Sequence, residues 1–315
     1  MSNKTITEFS RFVIFAVTLG MSMAGCAFVS SQPETPSAES KYGPPTVLGT
    51  LDSKEIPESS GIAASRCQSN VLWTHNDSGN EPFIFAINLA GKRLGTWKVT
   101  NAKNIDWEDI AAYKDSSGKC YLYIGEIGDN KAQRAEHTIY RILEPVVTPS
   151  SSASNSKLPL PTDGVESVTF AYPDSDQDAE TLLVEPRSGD IYVVTKRVSG
   201  PAGVYRVQPD FSSSQTIKAE RVAALSVPAI PNGFVTGGDI SPDGMHLIIC
   251  DYTRAYEFDL PAESSFEEVF RQTAVPIDLG QRKLGEAICY SVDGTSLYAT
   301  SERDDSPLIE VKRRR

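Results

Sequence analysis

A four-strand unit recurs along this chain, and few folds accommodate such a repeat. Short β-branched and aromatic runs alternate with Gly, Asp, Asn and Pro, and no long amphipathic helix interrupts them; Ala262–Phe270 is at most one short helix. Each unit opens on small or acidic residues and turns apolar: Ser60-Gly61-Ile62-Ala63, Glu108-Asp109-Ile110-Ala111, Glu180-Thr181-Leu182-Leu183, Gly238-Asp239-Ile240-Ser241 and Glu286-Ala287-Ile288-Cys289. A turn leads to a second strand, as in Leu122-Tyr123-Ile124-Gly125 and Leu297-Tyr298-Ala299-Thr300, and then to a third. Fourth strands fall near Arg93–Val99, Glu166–Tyr172, Lys218–Leu225 and Ala274–Leu279, after which the fifth unit runs out of chain. The run Thr46-Val47-Leu48-Gly49-Thr50, just before the first unit, can supply the missing strand and close a ring.

Four-stranded repeats of roughly 45–50 residues are the signature of a β-propeller. The expectation is an all-β fold over residues 46–315: a single propeller of five four-stranded blades closed by an N-terminal strand. Six blades with one degenerate member, and a β-sandwich, are the alternatives. The Ser-rich stretch Pro149–Pro161 reads as a surface insertion in the second blade.

The N-terminus carries a different message. Lys4 and Arg11 flank the apolar run Phe12–Met21, which is short for a membrane span, and Met23-Ala24-Gly25-Cys26 follows. A positive flank, a short apolar core and small residues before a cysteine describe a bacterial lipoprotein signal over residues 1–25, with lipid on Cys26. Residues 26–45, rich in Ser, Pro and Glu, read as a flexible tether. The expected location is the cell membrane, lipid-anchored and facing the periplasm. Ala27 after the cysteine, where Asp would signal retention, favours the outer membrane if the cell is Gram-negative.

Two of the 30 Lys and Arg and one of the 41 Asp and Glu lie within the signal, so the mature chain carries a net charge of −12. That balance argues against a nucleic-acid partner, which would demand a basic face. Export permits disulfides, and Cys67 and Cys120 follow innermost strands of adjacent blades on one face, so they are a candidate pair. Cys250 and Cys289 read as small buried thiols.

In a propeller, innermost strands begin on the face where second strands end, and loops there converge on the central channel. This places Glu108, Asp109, Glu180, Asp239 and Glu286 at strand starts, with Asp106 and Asp178 just before them. It places His75, Asn76, Asp77, Glu126, Asp129, Lys196, Arg197, Glu302 and Arg303 at the ends of second strands. Packed carboxylates repel. Either a hard cation sits among them, calcium being suited to six to eight oxygen ligands, or Lys196, Arg197 and Arg303 neutralise them. The candidate metal ligands are Asp77, Glu108, Asp109, Glu126, Asp129, Glu180, Asp239 and Glu286; His75, Asn76, Trp107, Lys196, Arg197, Glu302 and Arg303 are candidates for the ligand face. Many of these Asp and Asn residues equally suit turn caps, and Trp107 equally suits packing between blades. No catalytic motif of the GxSxG, HExxH, P-loop or dinucleotide type occurs.

The runs Leu72-Trp73-Thr74-His75-Asn76-Asp77-Ser78-Gly79, Asp106-Trp107-Glu108-Asp109-Ile110-Ala111 and Gly125-Glu126-Ile127-Gly128-Asp129-Asn130 resemble a family of poorly characterised bacterial propeller proteins. The last motif there is often Gly-Asp-Ile-Gly-Asp-Asn, so Glu126 departs from it while keeping the charge. Asp178-Ala179-Glu180, Thr236–Gly244 and Gly285-Glu286-Ala287-Ile288 fit the same family. More distantly, the acidic strand openings are similar to the SdiA-regulated and esterase-like phytase propellers, some of which bind calcium in the channel. The resemblance implies the fold and implies no established reaction. The leading expectation is a binding or scaffold module of the envelope that takes a cation or small polar ligand, or an envelope protein, on its acidic face. The alternative is a calcium-dependent hydrolase of phosphoesters or lactones, for which His75, Glu126 or Glu302 would be the base.

Overall fold

The computed structural model describes residues 41–52 and 54–314, so the signal, Cys26 and most of the tether lie outside the described residues. Blade 1 comprises Ser59–Ala64, Leu72–Asn76, Phe83–Ile87 and Arg93–Lys98. Blade 2 comprises Trp107–Lys114, Cys120–Glu126, His137–Leu143 and Glu166–Ala171. Blade 3 comprises Ala179–Val184, Ile191–Thr195, Ala202–Val207 and Glu220–Leu225. Blade 4 comprises Gly237–Ile240, His246–Cys250, Arg254–Asp259 and Val275–Asp278. Blade 5 comprises Leu284–Tyr290, Ser296–Glu302 and Pro307–Lys312, completed by Thr46–Thr50.

The first strand of each blade packs on the first strand of the next, and that of blade 5 returns to that of blade 1. The ring is therefore a five-bladed propeller, and neither the six-bladed alternative nor the sandwich describes it. Gly237–Ile240 also touches the inner strands of blades 1 and 2 across the ring, so the axis is narrow.

The repeat explains the packing. Each second strand contributes one large apolar side chain, Trp73, Tyr123, Tyr192, Ile248 or Tyr298, that wedges into the apolar cluster between its own blade and the next. There is one such cluster per interface, which is why the repeat needs no core of any other kind. Truncating a buried aromatic of this sort costs about 3–5 kcal/mol.

Ring closure rests on the N-terminal strand. Thr46–Thr50 pairs antiparallel with Pro307–Lys312, with Val47 opposite Ile309 and Gly49 opposite Leu308. A Cβ at Gly49 would lie 2.0 Å from the Ala90 carbonyl oxygen, so only glycine lets this strand reach the blade 1 turn. Upstream, buried Tyr42 donates to Glu257 Oε1 at 2.6 Å, and Tyr290 donates to the same oxygen at 3.0 Å. Arg313 completes this knot, which ties the chain entrance to blades 4 and 5.

The Ser-rich stretch is more than a surface insertion. Pro149–Ala153 forms a 3-10 turn against the outer strand of blade 1, and buried Ser154 accepts the Thr96 N–H through Oγ at 2.8 Å. Leu160–Pro161 then pairs parallel with Trp97–Lys98 as a fifth strand on that blade. Serine hydroxyls satisfy backbone groups that an apolar segment would leave bare. Ile217–Lys218 likewise adds a fifth strand to blade 2. The expected short helix is a 3-10 segment, Phe266–Arg271, whose Phe266 and Phe270 rings pack on Tyr192. Cys67 and Cys120 are joined by a disulfide, and Cys250 and Cys289 are buried thiols. Among the described residues no helix is long and apolar enough to cross a membrane.

If the closing strand holds the ring, a fragment beginning at Lys41 will unfold in one cooperative transition. A fragment beginning at Asp52, lacking both the strand and Tyr42, should lose several kcal/mol, or roughly 10 °C or more in Tm. Calorimetry of the two fragments checks this, and equal Tm values would contradict it.

Candidate functional site

A β-bulge is the local device that builds the site. In blade 2, Trp107 pairs with Glu126 and Asp109 with Gly125, so Glu108 is the extra residue. In blade 3, Ala179 pairs with Thr195 and Thr181 with Val194, leaving Glu180 extra. In blade 5 the register likewise breaks between Leu284 and Ala287, at Glu286. A bulge bends the strand and re-aims the extra side chain. All three glutamates are buried, and Glu108 and Glu286 each feel the charge of Glu180. Blade 1 has the same bulge with Ser60 in this position, and blade 4 has glycine there and no bulge.

Asp77, Asp106 and Glu302 join the three glutamates. Asp77, Asp106 and Glu108 each offer a carboxylate oxygen, and these oxygens lie within 4.8 Å of one another. Glu108 and Glu180, Glu286 and Glu302, and Asp77 and Glu302 come within hydrogen-bonding reach of each other. Two carboxyl groups can bond in this way only by sharing a proton. Asp77 Oδ1 is buried without a hydrogen-bond partner. Gly128 gives the cluster its space, because a Cβ there would lie 2.0 Å from Glu108 Oε1.

Among the described residues, Lys196 is the one base in ion-pair contact with these six carboxylates. Its Nζ lies 2.7 Å from Glu180 and 3.5 Å from the Tyr252 hydroxyl, over the Phe234 and Tyr252 rings. Burial works to lower the lysine's pKa, and the Glu180 charge more than offsets it, so the ammonium stays charged.

Burial is also the main force on the carboxyls. It pushes Asp106 up to about 6, with Asp77 and Glu126 adding repulsion. It pushes Glu180 up to about 7 although Lys196 pulls the other way. It pushes Glu286 up to about 10, helped by Glu180 and Glu302. Glu108 is raised well above the usual carboxylate range by burial and then by Glu180, and Asp77 and Glu302 are raised chiefly by burial.

The remaining sequence candidates divide cleanly. Asp109 and Asp239 sit below the cup and spend their oxygens on backbone. Asp109 accepts from Ile110 at 2.8 Å and from Leu182 of blade 3 at 3.0 Å. Asp239 accepts from Ile240 at 2.8 Å and Tyr290 of blade 5 at 2.9 Å. They join neighbouring blades. Glu126 accepts from the Ile105 and Asp106 amides and pairs with Arg134 at 2.8 Å, so it positions the loop that delivers Asp106. Asp129 caps the Gln133 and Arg134 amides. Asn76 holds the loop before blade 1 by donating to the Glu55 carbonyl and accepting the Glu58 amide.

Trp107 is packed between blades 1 and 2, not on the ligand face; its indole N–H donates to the Lys103 carbonyl at 2.9 Å. His75 lies against its edge, wholly buried, and burial lowers its pKa to about 4. Arg197 is exposed beside Lys196, bonded to Gln177, and Arg303 is exposed beside Glu302.

Sequence reading missed Glu58, Arg66, Phe234 and Tyr252. Glu58 stands two residues before Ser60, as Asp106 and Asp178 stand before Glu108 and Glu180, so aligning the repeats one residue further would have found it. Arg66 reaches from blade 1 to the Ala112 and Ile240 carbonyls and lies 3.6 Å from Asp239. It spans the axis below the cup. Nothing local in the sequence marks a basic residue that acts across a ring.

No family model and no curated protein matches the sequence. Among solved structures, a gluconolactonase of Xanthomonas campestris is similar over 85% of this chain and 89% of its own, at 13% identity and a TM-score of 0.44.

The raised carboxyls give a signed pH dependence. A carboxyl whose folded pKa is raised supports the fold fully below its ordinary pKa near 4, and that support is lost as pH climbs through the raised value. For Asp106 and Glu180 the loss spans pH 4 to about 7, and for Glu286 it extends to about 10. With a chelator present, Tm should fall steadily between pH 5 and 8, and Glu286→Gln should raise stability at pH 8 by about 1–3 kcal/mol. Thermal melts across that range check both signs.

Proposed function

We propose that this chain is a lipid-anchored, extracytoplasmic propeller that binds a divalent cation in its acidic cup and serves as a binding module of the cell envelope. One observation carries the reading: among the described residues, six converging carboxylates have one base, Lys196, in ion-pair contact. An uncompensated cluster of this kind is costly unless protonated or metal-bound. The donors are all oxygens, the set that hard cations prefer, and calcium's tolerance of irregular geometry suits an uneven ring. Asp77, Asp106 and Glu108 would hold the ion, with Glu180, Glu286 and Glu302 within reach to complete its shell. Small polar ligands or an envelope protein would meet the ion at the same mouth.

The hydrolase reading is weaker on one point. His75, its neutral base, lies in the blade 1–2 packing against Gly61 and Trp107, not at the mouth. Glu302 remains as a base at the cup, so hydrolysis would have to proceed without histidine.

The first described residues, Lys41 and Tyr42, lie beside Asp259 and Arg313, where third strands end on the face away from the cup.

Calcium added to metal-stripped protein should raise Tm, by about 2.7 kcal/mol of stability at 100 times Kd. Asp77→Asn combined with Glu108→Gln should abolish the rise. Unchanged melting in millimolar calcium, with no bound metal by elemental analysis, would refute the cup as a cation site. Separately, cells fed labelled palmitate should label the wild-type protein and not Cys26→Ser; equal labelling would remove the lipid anchor.

A further inference from the structure

The cup opens beside a second space. A cleft of about 560 Å³ lies over blades 2 to 4, lined in part by Lys196, Arg197, Gln177, Phe234 and Tyr252. Lys196 belongs to both, since its ammonium also bonds Glu180 in the cup. Phe234 and Tyr252 meet edge to face at 5.1 Å and form a wall under that ammonium. An ammonium has three N–H donors. Glu180 at 2.7 Å and the Tyr252 hydroxyl at 3.5 Å account for two. Arg197, next in sequence, is exposed there and spends one Nη on Gln177. Asp176 and Asp178 also line the cleft, but Asp178 is engaged by the Asp129 amide at 2.8 Å.

We infer that Lys196 is an internal counter-cation that an entering metal ion releases, and that with Arg197 it then forms an oxyanion subsite in the adjoining cleft. The inference rests on the cup being a cation site. Without metal, the ammonium is needed by Glu180. When a cation takes over the Glu180 charge, the ammonium keeps its aromatic wall, and its freed donors face a carboxylate or phosphate group. Arg197 offers further donors beside it. The two charges of a bound salt, or of a metal-bound anionic ligand, are thereby held in neighbouring compartments. Cation and anion then bind with positive coupling, because each relieves what the other would leave unpaired.

The test is calcium titration calorimetry on full-length protein in detergent, metal-stripped, with and without sodium acetate or methylphosphonate. Acetate reports a carboxylate preference and methylphosphonate a phosphate one. At least one anion should tighten calcium binding by about fivefold or more. Arg197→Ala, at an exposed position, should bind calcium alone as wild type does and lose the coupling. Lys196→Met should also lose the coupling while binding calcium roughly tenfold more tightly, because the competing ammonium is gone. Calcium binding that neither anion changes overturns the subsite and leaves the cup intact. Weaker calcium binding in Lys196→Met overturns the counter-cation role. Coupling that survives in Arg197→Ala removes that residue's part, and the result is readable even if the lysine variant fails to fold. No calcium binding in any arm refutes the cup itself, and this inference with it.

Discussion

Burying like charges at the axis of a closed ring is the constraint on which the rest depends. Five inner strands packed edge to edge leave their mouth residues nowhere to turn but inward. The bulges at Glu108, Glu180 and Glu286 deepen the problem by sending the extra side chain of each strand into the same space. A ring able to relax would open there. This one is held shut by an aromatic or isoleucine wedge at every interface and by the Tyr42, Glu257, Tyr290 and Arg313 knot at the seam. The scaffold sustains repulsion that a looser domain would release, and so keeps a preorganised oxygen cluster.

Below the cup the same chemistry serves structure instead. Asp109 and Asp239 are also buried carboxylates on inner strands, yet each faces the amides of a neighbouring blade rather than another acid. One residue of register separates Glu108 from Asp109, and that step divides a side chain directed into the cup from an inter-blade tie. Arg66 lies beneath them and reaches from blade 1 to the Ile240 carbonyl and Asp239.

Much of this was legible in the sequence. Strand order, blade number and the closing strand followed from the repeat, because one pattern of small or acidic openings turning apolar recurs five times. The acidic face followed from the same alignment. The division of labour on that face did not, since a bulge is set by pairing between strands and cannot be read along one of them. That is why Asp109, Asp239, Glu126 and Asp129 appeared equivalent to Glu108 and Glu180 until their amide partners were seen. Trp107 was ambiguous for a related reason: a residue beside a bulge can face the channel or the neighbouring blade, and only packing decides. The order in Pro149–Pro161 was hidden because serines bonded to backbone have the composition of a free loop.

What this ring presents is a rigid acidic mouth with a lysine at its edge. Its central claim is that the mouth holds a cation through the bulged and flanking carboxylates. An anomalous difference map from crystals soaked in calcium tests this most directly. The account predicts one strong peak about 2.3–2.6 Å from carboxylate oxygens of Asp77, Asp106 and Glu108. A map with no peak among those side chains, or with its strongest peak elsewhere on the ring, would contradict it.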